Sequence, residues 1–158
     1  MIWRKALRVW INGLSVIRRK AYWFLEVKMR KGLLLLAAVS GFFAVALGAF
    51  GAHGLKAVAP PELIDVFNLG VQYHFYHTFA LIAVAFAGQW LTSRLLDWAA
   101  YLFMAGIVLF SGSLYGLALV GSKWLGPITP MGGGCFLLGW LLLAAAVWRH
   151  KVVDGNES

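Results

Sequence analysis

The sequence predicts an all-α integral membrane protein, a four-helix bundle preceded by a basic amphipathic segment. Of its 158 residues, 61% are hydrophobic and only 13% are charged, and the mean hydropathy is +0.78. A soluble domain of this size needs more polar surface than that. Four stretches of at least 24 residues carry no Asp, Glu, Lys or Arg: 32–55, 66–93, 98–122 and 124–148. About 20 apolar residues cross a bilayer as a helix, and continuous apolar runs exclude an alternating barrel pattern.

Residues 1–31 hold nine of the fourteen Lys and Arg residues. Trp3, Leu7 and Trp10 recur at steps of four and three, which places them on one helical face. A basic helix of this kind lies along the cytoplasmic membrane surface and contacts anionic lipid. The net charge of +8 is concentrated here, beside a span, and therefore argues against a nucleic-acid partner. The scattered charges do not resemble a cleaved signal peptide, although a translation start at Met29 is an alternative interpretation.

The distribution of Lys and Arg predicts the orientation in the membrane. With a cytoplasmic N-terminus, twelve of these residues lie inside and two, Lys56 and Lys123, lie outside. The positive-inside rule then places both termini in the cytoplasm and the protein in the cytoplasmic (inner) membrane. Residues 151–158 are a polar tail, which we expect to be mobile and cytoplasmic. The excess of Lys and Arg on the inner side depends chiefly on the basic segment at 1–31.

The first predicted span, about 32–54, carries small residues along its faces. Such a stripe lets another helix approach closely. We favour packing within this one chain over a dedicated dimer face, although a homo-oligomer is possible. The stripe at four-residue spacing consists of Ser40, Ala44, Gly48 and Ala52, with Ala37 and Gly41 on a second face.

The connection that follows contains a helix start. Pro60 and Pro61 suit the beginning of a helix, and Glu62 and Asp65 suit its first turn. We expect a short amphipathic helix on the outer membrane surface that runs into the second span, about 71–91.

The third and fourth spans, about 98–120 and 128–148, are rich in glycine. Gly112 and Gly116 form a GxxxG pair, and Ser111 and Ser113 can bond to helix carbonyls or to a neighbouring helix. Pro130 is expected to begin the fourth helix with Thr129 as its cap. The triplet Gly132, Gly133 and Gly134 permits close backbone contact or could line a bound group.

Three histidines are predicted to lie near the outer membrane surface. His53 ends the first span, and His74 and His77 begin the second. Imidazoles from two helices could bind zinc or copper, hydrogen-bond a quinone or lipid headgroup, or simply bond to water and backbone. We predict no metal and no cofactor. The candidate ligand-binding residues are His53, Tyr73, His77, Ser111 and Ser113.

The remaining sequence features favour binding over catalysis. None of the predicted spans contains Asp, Glu, Lys or Arg, which argues against a proton-coupled exporter. We find no arrangement of nucleophile, acid and base, and no GxxxxGK nucleotide loop. The leading hypothesis is a non-enzymatic protein that binds a lipid, quinone or partner protein near the outer leaflet. One alternative is a transporter or channel subunit for a small neutral solute, and another is a membrane enzyme using His53 and His77 as acid and base.

Several separated motifs resemble one family. They are GAFGAHGL at 48–55, residues 73–77 followed by TFAL, FSGSLY at 110–115, and TPMGGG at 129–134 with GW at 139–140. Together they resemble the small bacterial inner-membrane proteins called domain of unknown function 423, or uncharacterised protein family 0382, to which eukaryotic transmembrane protein 256 is related. The resemblance covers about residues 32–150 and implies a four-helix membrane protein without an established activity. His53 and His77 match the family pattern, and His74 does not.

Overall fold

The computed structural model describes residues 31–150, and every regular element in that range is helical. Four helices follow one another: α1 (Lys31–His53), α2 (Pro61–Ala87), α3 (Arg94–Val120) and α4 (Ile128–Trp148). The predicted all-α fold is therefore confirmed. The predicted basic segment, the alternative start at Met29 and the tail at 151–158 lie outside the described residues.

The four helices differ in how well they suit a bilayer. By length and composition, α3, α4 and the segment Lys31–Ala57, which contains α1, can each cross a membrane. Helix α2 is as long but less apolar, because glutamine, tyrosine and histidine side chains interrupt its middle at 72–77. His74, His77 and Thr78 are nevertheless buried in the protein. Packing against the other helices thus shields the two histidines of α2, whereas Gln72 and Tyr76 are exposed and bond to each other at 2.7 Å.

Helix α3 changes its winding midway. It runs as an α-helix over Arg94–Gly106, makes a π-helical turn over Ile107–Ser111 and returns to α-helix over Gly112–Val120. The Ser93 side chain caps its start by accepting a hydrogen bond from the Leu95 amide at 3.2 Å. A π-helical turn inserts an extra residue per turn and is often found at functional sites.

Helix α2 lies between α1 and α3, and α4 packs along α3. Small residues of α1 face α2: Ala37 and Ala44 are fully buried, and Gly48 lies against the Val71 side chain. The prediction that this stripe packs within the chain is confirmed for these positions. Ala52, its last member, is exposed.

Helices α3 and α4 meet through glycines that accept aromatic residues. Gly106 receives the Phe136 ring, Gly139 receives the Phe103 ring, and Gly132 lies against the backbone of Phe110. The close contact predicted for the glycine triplet is thus confirmed at Gly132. Gly112 of the GxxxG pair has open space in front of it, and Gly116 lies against the Leu125 side chain of the following connection, so neither glycine receives another of the four helices within the described chain.

One detail of the predicted boundaries is wrong, at the start of α4. Helix α2 begins at Pro61 as expected and continues unbroken to Ala87, so the expected outer helix and the second span form one helix. Helix α4 begins at Ile128, before Thr129, so Thr129 already lies on the helix and does not cap it. Its hydroxyl instead bonds to the Ser113 hydroxyl of α3 at 2.8 Å.

Candidate functional site

The structure separates His53 from His74 and His77 along the bundle. Helix α1 runs antiparallel to α2, with Gly51 against Phe67, and exposed His53 ends α1 at that level. At 1.5 Å per residue, His74 and His77 lie roughly 10 and 15 Å further along α2 from Phe67. The cause is the register between α1 and α2, because the end of α1 lies level with Phe67, before either histidine of α2. His53 is therefore not brought together with His77 as an acid–base or metal-binding pair.

A polar cluster joins three helices around His74. Its Nε2 lies 3.0 Å from Ser40 Oγ on α1, and its Nδ1 lies 3.2 Å from the Tyr115 hydroxyl on α3. Ser40 Oγ also bonds to Thr78 Oγ1 at 2.7 Å. Both ring nitrogens of His74 thus have side-chain partners, and the cluster holds α1, α2 and α3 in register. The sequence does not reveal it, because Ser40 is recognisable there only as a small residue of a packing stripe.

The His74 cluster lies at the floor of an apolar groove between α1 and α3, with a volume of about 500 Å³. Its walls are aliphatic and aromatic, with Leu36 and Phe43 on α1 and Met104 and Val108 on α3. We call it the α1–α3 groove. Gly112 is also part of its lining.

A second groove, of about 650 Å³, lies between α2, the π-helical turn of α3 and α4. It is mostly aromatic, and we call it the aromatic groove. Its lining includes Tyr73 and His77, two of the residues predicted from sequence to bind a ligand. Phe110 of α3 and Gly134, Phe136 and Trp140 of α4 also line it.

His77 is held in the aromatic groove on two sides. Its ring stacks on Phe136 with centroids 3.3 Å apart and an interplanar angle of 6°. Its Nδ1 lies 2.8 Å from the Tyr73 carbonyl oxygen, one helical turn earlier. The Tyr73 ring packs in turn on Phe110, with centroids 4.6 Å apart. Among the described residues Nε2 of His77 has no hydrogen-bond partner, although the residue is only 5% exposed.

Ser111 and Ser113 do not line either groove. Ser113 donates to the Phe110 carbonyl at 2.9 Å, so its bond to Thr129 is one in which the Thr129 hydroxyl donates. The prediction that this serine bonds both to a helix carbonyl and to a neighbouring helix is confirmed. Ser111 Oγ is fully buried, and no partner for it lies within residues 31–150. No group of three His, Cys, Asp or Glu side chains in that range could hold a metal ion.

Large apolar side chains cover the outside of the helices. Phe42, Val108 and Leu137 are each more than two-thirds exposed, an arrangement that suits lipid and not water. Four packed helices with an apolar exterior and buried polar clusters define a helical membrane protein.

The chain belongs to the family described as "Protein of unknown function (DUF423)", whose pattern matches residues 47–133. It is 43% identical over 121 residues to "UPF0382 membrane protein YwdK" of Bacillus subtilis, and the aligned region covers 76% of this chain and 98% of that protein. It is 41% identical over 119 residues to "UPF0382 inner membrane protein YgdD" of Escherichia coli, covering 75% and 91%. No solved structure matches the chain. The family resemblance of the motifs is thereby confirmed.

Proposed function

We propose that this membrane protein binds a lipid or quinone in the aromatic groove. One observation carries the proposal: a buried histidine, whose Nε2 has no partner within residues 31–150, lies in the wall of a groove lined by aromatic side chains. Ligand sites are typically apolar concavities with a few well-placed polar groups that set orientation. The Tyr73, Phe110 and Phe136 rings supply the apolar surface, and His77 supplies the polar group.

The rim of the aromatic groove supports entry from the bilayer. Tyr76 is 52% exposed, Leu137 is 69% exposed and Trp140 is 47% exposed, and all three line the groove. A ligand dissolved in the membrane would meet these side chains before it reaches His77. The occupant we propose is therefore a membrane-soluble molecule with a long apolar chain and a small polar head.

The same lining supports binding in preference to catalysis. No carboxylate, amine or thiol lies among the described residues that form the aromatic groove. Besides His77, the titratable groups of this lining are the phenols of Tyr73 and Tyr76, and the Tyr76 hydroxyl is bonded to Gln72 and not to His77. We therefore propose a non-enzymatic role.

The transport alternative has less support from packing. It requires the glycine-rich faces of the first, third and fourth spans to line a path for solute. Instead, Gly48, Gly106 and Gly139 face Val71, Phe136 and Phe103 side chains. A second alternative is a partner protein that inserts a side chain into the aromatic groove, and mass spectrometry distinguishes it from a lipid or quinone.

Filling the aromatic groove is expected to remove the ligand without unfolding the protein. A Cβ on Gly134 would meet nothing within 4 Å, and Gly134 lines the groove, so Gly134→Leu places a side chain in empty space. Gly112→Leu is the matched control, because Gly112 is equally open but lines the α1–α3 groove. Native mass spectrometry of the full chain from mild detergent should show a retained lipid or quinone in wild type and Gly112→Leu, and at least a tenfold lower occupancy in Gly134→Leu.

Equal occupancy in the two leucine variants would contradict the assignment to the aromatic groove. A mass corresponding to a bound polypeptide would favour the partner protein. Wild-type protein that retains no ligand after extraction, and takes up none from added lipid extract, would overturn the proposed function.

We further propose that both termini are cytoplasmic and that the basic segment at 1–31 contacts anionic lipid. The asymmetry of Lys and Arg along the sequence supports this orientation. Green fluorescent protein fused after Ser158 should fluoresce in a bacterial host, and alkaline phosphatase fused there should be inactive. Both readouts should reverse for fusions after Lys56, in the first connection. Active phosphatase at the C-terminus would contradict the orientation.

A further inference from the structure

We infer that the ligand of the aromatic groove donates a hydrogen bond to Nε2 of His77. The groove would then select a headgroup with an O–H or N–H, such as a quinol, a phenol or a lipid alcohol. Of the occupants proposed above, a quinone would therefore bind more tightly in its reduced quinol form, because the oxidised form, like an ether, only accepts hydrogen bonds. This inference rests on the proposed function and names the chemical class of its ligand.

The hydrogen bond at the other ring nitrogen determines which headgroup fits. Nδ1 of His77 lies 2.8 Å from the Tyr73 carbonyl oxygen. A carbonyl oxygen can only accept, so Nδ1 carries the hydrogen. A neutral imidazole has one N–H, which leaves Nε2 with a lone pair and the role of acceptor. The tautomer of His77 is thus set by the backbone of its own helix.

The surroundings of His77 favour the neutral ring. The residue is 5% exposed, stacks on Phe136 and lies beside Phe103 and Trp140, with ring centroids 5.7 and 6.4 Å away. No carboxylate lines the groove among the described residues. A charged imidazolium in such apolar surroundings would have no counter-ion, which is costly.

Nε2 of His77 belongs to a residue that lines the groove, and it has no hydrogen-bond partner among the described residues. A polar atom in apolar surroundings gains from a partner that enters with the ligand. His74 shows the ordinary solution three residues earlier, since hydroxyls of Ser40 and Tyr115 occupy both of its nitrogens. Among the described residues His77 has only the Tyr73 carbonyl as partner. A ligand hydroxyl would complete the set, and stacking on Phe136 holds the ring in place to receive it.

A matched pair of probes tests the inference on the purified full chain in detergent micelles. The probes are para-nonylphenol and its methyl ether, para-nonylanisole, which differ in the single hydrogen available for donation. We expect the phenol to bind wild type roughly tenfold more tightly, as one added hydrogen bond in an apolar groove allows. His77→Phe keeps an aromatic ring on Phe136 but has no acceptor, so the two probes should then bind equally. His53→Phe, at the exposed end of α1, is the control and should keep the tenfold preference.

The wild-type comparison needs no variant to fold. Equal affinities of wild type for the two probes would overturn the inference while leaving the aromatic groove as a binding site. A preference that survives in His77→Phe would assign the hydrogen bond to another residue and would also overturn it. Failure of both probes to bind saturably would count against the proposed function itself.

Discussion

Gly132→Ala is expected to lower the free energy of unfolding by about 3 kcal/mol, the upper end of the usual cost of overpacking. A Cβ at this position would lie 2.8 Å from the Phe110 Cα and would also meet the Phe110 amide nitrogen. These are backbone atoms of the π-helical turn, so a rotamer change cannot relieve the contact. Helices α3 and α4 would have to separate, which would weaken the packing on which helix association in membranes depends.

Gly134→Ala is the matched control, two residues along the same helix. A Cβ there meets nothing within 4 Å, and alanine favours helix over glycine by up to about 1 kcal/mol. Its stability should therefore be unchanged or slightly higher. Reversible unfolding of the purified proteins in mixed micelles, titrated with sodium dodecyl sulfate, measures both changes. Equal losses in the two variants would show that the contact at Gly132 is not what limits the approach of the helices.

Phe136→Ala is expected to have a comparable effect, about 3 kcal/mol, because large aromatic-to-alanine truncations in cores cost about 3 to 5 kcal/mol. The Phe136 ring is 4% exposed and fills the space between α2, α3 and α4. It stacks on His77 and covers the bare backbone of Gly106. In lipid, the loss comes from broken van der Waals contacts more than from transfer out of water.

Leu137→Ala provides the comparison for Phe136→Ala, because the Leu137 side chain is 69% exposed to the lipid side. We expect it to change the free energy of unfolding by less than about 1 kcal/mol, as is usual at surface positions. The same mixed-micelle titration applies. Phe136→Ala should also release the ligand, since it removes a wall of the aromatic groove. A Phe136→Ala protein as stable as wild type that still retained ligand would contradict both the packing role and the binding role of this ring.

The parts of the candidate site differ in how far the sequence reveals them. Tyr73 and His77 stand out because they are polar side chains in an apolar run and belong to a family motif. Ser40 is recognisable as small but not as a hydrogen-bonding partner of His74, because the two are 34 positions apart. The bond of Ser113 to a neighbouring helix is predictable, but its partner Thr129 resembles a helix cap. Grouping His53 with His77 assumes that the end of the first span lies level with residues 71–77, whereas Gly51 packs against Phe67.

By itself, the sequence determined the class of protein and the family. Membrane helices are dictated by composition over about 20 residues, since every backbone group in lipid must be bonded within its own helix. Only the tertiary structure decided how far along the bundle the histidines lie. It also decided which glycines receive aromatic rings. Tertiary structure also decided that Nε2 of His77 has no partner among the described residues. Both ring nitrogens of His74, on the same helix, are bonded to residues of other helices. Such features depend on the register between helices distant along the chain, which no local pattern encodes.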